Sequence, residues 1–200
     1  MRQRRFAGAD HVRGSRVFSA VAMATAAASV SLGLSGCQAV SATTNTDLSA
    51  QFTVTSPAFA GNHPIPPLFT CAKWGGQGKT PPLRWSEPNA GAFAIVVDDP
   101  DAPGGDYIHW VIANIDGHTT ELLEGVLPAG AVQGLNGAGT VGYTPPCPPK
   151  GEKAHRYRFT VYALKKRVDM KQGASLKESL PKIAALAIGM GRISGNFGGQ

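Results

Sequence analysis

No Gly-x-Ser-x-Gly elbow occurs anywhere in the 200 residues, which excludes a serine nucleophile presented on a strand-to-helix turn. Ser86, the one serine near the acid- and histidine-rich part of the chain, has no evident base beside it. Cys147 and His155 form the only thiol–imidazole pair that could be read as a nucleophile with its base. Internal repeats are absent, so solenoid and propeller architectures are excluded. Clusters of Lys and Arg interleaved with aromatic residues are also missing beyond the first 36 residues. Lys165-Lys166-Arg167 is short and fits a solvated turn after a strand, and nucleic-acid binding is not expected. Cysteine is scarce at three residues. Large apolar residues are thin between Ile115 and Thr144, where seven glycines fall. A connection of that length in a compact domain is usually functional or covers something.

Only one long apolar run exists, and it lies near the start. Met1 to Arg16 carries five arginines against one acid, Asp10, and Val17 to Leu34 is uncharged and rich in Ala, Val and Leu. Leu34-Ser35-Gly36-Cys37 closes the run. Basic start, apolar middle and small-residue end make residues 1–36 an expected export signal. The ending resembles a bacterial lipobox, in which Cys37 is cleaved to the new N-terminus and acylated with palmitate-type chains. The other reading is a short transmembrane helix, for which eighteen Ala/Ser/Gly-rich residues are borderline. Removing residues 1–36 takes a net +4 from the chain's +6 and leaves only +2, so the basic character belongs largely to the signal. Residues 37–47 are small, polar and aperiodic and read as a flexible tether. Residues 48–200 are then one domain with one core, at the cell envelope and facing away from the cytoplasm.

With Cys37 lipidated, Cys71 and Cys147 remain as a pair in an oxidising compartment. A bond between them would close a loop of about 75 residues, worth roughly 4 kcal/mol in the chain-entropy model. Two separate buried thiols are the alternative.

Within the domain, Asp98 to Asn114 is the stretch around which the rest is arranged. An apolar run, Ala92 to Val97, ends in Asp98-Asp99-Pro100-Asp101, a Pro/Gly turn follows, and a second strand-like run carries His109 and Trp110. Period-two alternation puts Phe93, Ile95, Val97 and Asp99 on one face, and Tyr107, His109, Val111 and Ala113 on one face of the next strand. Two acids and an imidazole thus arrive at the ends of buried strands, where ionised groups are costly unless paired or used. Arg156 to Ala163 alternates most clearly, with His155 on the Tyr157/Phe159 face and Arg156 and Arg158 on the opposite face as solvated or interface residues. Phe52 to Thr55 and Leu83 to Trp85 read as strands, and Leu68 to Cys71 as a short extended piece. Ser175-Leu-Lys-Glu178 fits a capping box before a helical run to Ile188, with Gly189 as its stop. Ser179 is the other candidate N-cap, with Pro181 in the first turn. The fold class expected is mainly β, two sheets face to face with a peripheral C-terminal helix.

Asp99-Pro-Asp101-Ala-Pro103, His109-Trp110, Pro148-Pro149-Lys150-Gly151 and His155-Arg156-Tyr157 together resemble the two signature regions of the phosphatidylethanolamine-binding protein family. Its bacterial branch is often described as Raf-kinase-inhibitor-like. Pro81 to Trp85 and Gly195 to Gly198 support the likeness, which runs from about Phe52 to the C-terminus in family order. The resemblance implies an antiparallel β-sandwich with a small anion-accepting pocket at one end. Asp99, Asp101, His109, His155 and Tyr157 are its implied ligand-binding residues, with Pro148 and Pro149 in the wall. Implied ligands are phosphate- or acetate-type anions and phospholipid head groups, without cofactor or metal, and the bacterial branch tends to dimerise. Imidazoles and a tyrosine hydroxyl supply donors to phosphate oxygens, while the carboxylates orient the imidazoles or meet an ammonium. The envelope-anchored domain is therefore expected to bind a small anionic or zwitterionic ligand without catalysis. In the alternative it acts as a protein-interaction or inhibitor module through a surface loop within Ile115 to Thr144. The chain departs from the bacterial pattern in its wall, where Thr144-Pro145 stands in place of the usual Gly-Gly. Its Asp101-to-His109 connection is also short, which leaves only a small lid.

Overall fold

The computed structural model describes residues 52–86 and 89–199. The expected signal segment 1–36, Cys37 and the tether 37–47 lie outside the described residues, as do residues 48–51 of the expected domain. In chain order the strands are β1 (Val54–Thr55), β2 (Leu83–Trp85), β3 (Ala92–Asp99), β4 (Tyr107–Ile115), β5 (Glu121–Leu122), β6 (Val132–Gln133) and β7 (His155–Leu164). The one α-helix among the described residues, α1 (Leu176–Leu186), then runs into β8 (Ala187–Phe197). Among the described residues these strands form a five-stranded sheet, β6-β4-β3-β7-β8, and a three-stranded sheet, β1-β2-β5. Every pairing between named strands is antiparallel.

Side-chain size decides which face goes where. Phe93, Ile95 and Val97 of β3 join Trp110, Ile112, Phe159 and Val161 in one core, with Leu83, Trp85 and Leu122 supplied by the smaller sheet. The opposite face of β3 and β4 carries smaller residues, Ala92, Ala94, Val96, Val111 and Ala113, and is covered by Ile183 of α1. All eight residues of β3 are buried, as a central strand covered on both faces requires. The fold is thus mainly β, with the helix on the outer face of the larger sheet.

Several local expectations are corrected. Val97 pairs with Trp110 and Asp98 with Ile108, so His109 is the extra residue of a β-bulge. Beyond it, Trp110 and Ile112 face the sandwich core while Val111 and Ala113 face α1, which separates them from His109. Of the piece Leu68 to Cys71, only Thr70 and Cys71 are extended; they lie between two 3-10 turns, Pro67–Phe69 and Ala72–Trp74, the first entered through Pro66 and Pro67, whose rings preset φ.

The helix stops at Leu186, and residues after it form a full strand rather than more helix. Ser175 is at the N-cap position but makes no side-chain cap hydrogen bond, and Pro181 falls inside α1. β8 escaped the sequence pattern because three of its buried positions are Gly189, Gly191 and Gly195. A Cβ at Gly191 would lie 2.5 Å from the Phe52 carbonyl oxygen, and one at Gly195 would lie 2.5 Å from Ile65 Cγ1. The missing side chains let the N-terminal segment lie against the strand.

Arg158, expected to be a solvated or interface residue, keeps 25% of its side chain exposed while its guanidinium bonds the Asp98 carboxylate.

Candidate functional site

The ends of three neighbouring strands converge on one cavity of about 210 Å³. Asp99 comes from the end of β3, Tyr107 and His109 from the start of β4, and His155 and Tyr157 from the start of β7. Antiparallel pairing of β3 with both β4 and β7 brings these ends together. The bulge at His109 keeps the imidazole on the same side as Asp99 and Tyr157.

Two imidazoles are fixed in different ways. His155 donates Nδ1–H to Asp99 Oδ2 at 2.7 Å, with side chains only 6% and 4% exposed. The other Asp99 oxygen, Oδ1, accepts the Asp101 backbone N–H at 2.9 Å. His155 Nε2 lies 3.6 Å from Glu152 Oε2 at the more exposed edge.

His109 donates Nδ1–H to the Thr144 carbonyl at 2.6 Å, which assigns its tautomer and leaves Nε2 as the acceptor when the ring is neutral. Burial holds its pKa below the ordinary value, against the raising effects of the Thr144 carbonyl, Asp99 and Asp98. Its ring meets Tyr107 and Tyr157 edge-on at 4.8 and 5.2 Å. Tyr157 is pushed far above the usual phenol range by burial and by Asp99 and Asp101, so its hydroxyl keeps its proton and can donate.

Thr144, Pro145, Cys147, Pro148 and Pro149 form the facing wall. It is braced from behind. Cys147 is bonded to Cys71, the Cys71 N–H reaches the Pro146 carbonyl at 3.0 Å, and Trp74 Nε1–H donates to the Pro148 carbonyl at 2.9 Å. Trp74 in turn meets Phe197 edge-on, and Lys150 Nζ stands 5.3 Å over its ring.

A buried acid–imidazole pair, a second imidazole and a tyrosine stand around a proline wall, and comparison with known proteins decides the family. Residues 55–198 match the family model described as phosphatidylethanolamine-binding protein. The chain belongs to the phosphatidylethanolamine-binding protein family. LppC of Mycobacterium tuberculosis, which carries a lipoprotein name, is 41% identical over 161 residues, covering 80% of this chain and 79% of that one. A protein of Methanothermobacter thermautotrophicus is 41% identical over 147 residues, covering 70% of this chain and 94% of its own. Among solved structures, a phosphatidylethanolamine-binding-protein homologue of Chlamydia trachomatis superposes with a TM-score of 0.68 at 34% identity. Escherichia coli YbcL does so with a TM-score of 0.68 at 32% identity. Each covers 76% of this chain and all of its own.

Four of the five residues assigned from the phosphatidylethanolamine-binding signature line the cavity. Asp101 does not. Its side chain is 40% exposed and accepts the Arg156 backbone N–H at 3.0 Å, with the Arg156 guanidinium at 3.5 Å. Its role is to hold the rim between the β3 turn and β7. Sequence reasoning left Tyr107 out of the ligand set, and it put Thr144 in the wall without the bond from His109 to its carbonyl. Tyr107 was signalled by its period-two relation to His109, whereas no sequence signal marks a backbone carbonyl such as that of Thr144. Asn136 was also missed. Buried in the glycine-rich connection, it donates to Thr140, Gly142 and Thr144 and accepts the N–H groups of Ala138 and Thr140. This network positions the segment that carries Thr144.

Proposed function

We propose that the cavity captures a small phosphate-type anion, free or as the head group of a phospholipid, and that lipidated Cys37 holds the domain at the cell envelope. The observation that carries the reading is the occupied state of Asp99. Both its oxygens accept hydrogen bonds from His155 and the Asp101 backbone, so the carboxylate is turned to orienting an imidazole. His155, His109 and Tyr157 are then the groups left to meet an anion. A cavity of about 210 Å³ is below the roughly 300–1,000 Å³ typical of pockets for drug-sized ligands. That size suits a head group and leaves acyl chains outside. Glu152, beside His155 at the edge, is placed to meet the ammonium of a zwitterionic head group. The lipoprotein name of the mycobacterial relative supports the anchor. Binding is proposed without turnover, since the Cys147 sulfur next to the cavity is tied to Cys71.

The test is NMR titration of the histidine ring protons with inorganic phosphate, phosphoethanolamine and, as a neutral control, glycerol. Joint, saturable shifts of His109 and His155 with the two anions alone are expected. No response of either ring to either anion would overturn the assignment.

A second reading is a protein-interaction or inhibitor role, favoured by Leu123, Val126 and Leu127, which are 56%, 49% and 49% exposed on the long connection. That role would survive His155→Ala, whereas a pocket-dependent one would not.

A further inference from the structure

Alternation places a second cavity back to back with the first. Asp98, Ile108 and Arg158 are the sequence neighbours of Asp99, of Tyr107 and His109, and of Tyr157, and they point to the other side of the five-stranded sheet. There they line a groove of about 270 Å³ roofed by Leu180, Ile183 and Ala184 of α1. Val96 and Tyr162 complete an apolar floor, and Arg192 of β8 stands at the side.

The charges in this groove are unevenly matched. Arg158 lies between two carboxylates, bonded to Asp98 and 3.5 Å from Asp106. Arg192 makes no salt bridge among the described residues. Its Nε–H goes to the Thr160 hydroxyl at 2.7 Å, and its charge acts on the neighbouring Tyr162 phenol. This exposed guanidinium, with no counter-ion among the described residues, presents its remaining N–H groups beside an apolar slot. Such a planar fork suits a carboxylate, and the slot suits an aliphatic body.

We propose that this groove is a second ligand site, for a small amphiphile with one carboxylate on an aliphatic chain. The carboxylate pairs with Arg192, and the chain lies between α1 and the Val96/Ile108 floor. Nothing in this reading depends on the phosphate cavity, which opens on the opposite face of the same three strands.

The test uses the full chain with octanoate as the probe and octylammonium and octanol as controls, followed by calorimetry and by methyl NMR. Octanoate is expected to bind saturably and to shift Ile108, Leu180 and Ile183 signals, with octylammonium inert. Arg192→Gln removes the charge, and Ala184→Phe, at an exposed helix position, fills the slot. Each should weaken octanoate binding about tenfold or more and leave the phosphate response of His109 and His155 unchanged. His155→Ala should leave octanoate binding intact. The proposal is overturned if octanoate fails to saturate, if octylammonium binds equally well, or if His155→Ala abolishes binding that Arg192→Gln spares. That last result would place the carboxylate in the phosphate cavity.

Discussion

His155 Nδ1 and Asp99 Oδ2 are 2.7 Å apart, and both side chains are almost wholly enclosed. Asp99→Asn preserves shape but removes the charge that fixes the ring. Loss of a hydrogen bond to a charged group predicts about 2 kcal/mol lower stability, and phosphate affinity should fall about tenfold or more. Chemical denaturation and calorimetry read the two effects. Undiminished phosphate binding in a folded Asp99→Asn protein would remove Asp99 from the site's machinery.

His109 predicts a pH dependence with a definite sign. Burial holds its folded pKa below the 6.5 of the free side chain, so between those values the unfolded chain binds more protons. Stability therefore rises with pH across that window. The contribution is complete above 6.5 and is lost as the pH falls towards the folded value. His109→Gln should flatten the denaturation midpoint against pH in that range. An anion next to the ring favours imidazolium, so phosphate binding at neutral pH should take up protons. Calorimetry in buffers of different ionisation enthalpy measures that uptake, and buffer-independent heats would count against it.

The Cys71–Cys147 bond spans 76 residues. Its removal through Cys71→Ser with Cys147→Ser is expected to cost about 4 kcal/mol. Phosphate affinity should also drop, because the proline wall loses its brace. Denaturation with and without a reducing agent tests the first point, and phosphate titration of the reduced protein tests the second.

Gly195→Ala should destabilise the sandwich by about 1–3 kcal/mol through overpacking. Its Cβ would approach Phe59 Cε2 to 2.8 Å as well as crowding Ile65. Gly61→Ala, which meets nothing within 4 Å, is the matched control and should be close to neutral. Thermal melts of the two variants distinguish local crowding from a general sensitivity to glycine replacement.

Much of this site could be read from the sequence because its chemistry sits on regular strands. Period-two alternation from Phe93 reaches Asp99, and from Phe159 it reaches Tyr157 and His155, so side-chain direction follows from position alone. The family likeness then joined these residues to His109. What remained hidden depended on irregularity. An extra residue in one strand of a pair cannot be seen without its partner, so the bulge at His109 misassigned Val111 and Ala113. Asp101 shares a motif with Asp99, but the turn carries it outward to Arg156. β8 lacked an apolar stripe because glycines occupy inward positions, and what fills that space comes from residues over a hundred positions earlier. Asn136 organises its loop through backbone groups and threonine hydroxyls together, a set that no residue pattern announces.

Pro145, Pro146, Pro148 and Pro149 have no backbone N–H to offer, and the N–H of Thr144 is already committed to the His109 carbonyl. One side of the cavity is therefore poor in donors, while the strand side gathers the imidazoles and the phenol. A ligand entering it meets a built-in polarity, with its negative oxygens drawn towards the strands and its less polar groups left against the rings of the wall. Under the proposed anion-binding role, ligand orientation would follow from which amino acids the wall contains, before any lid or induced movement is needed.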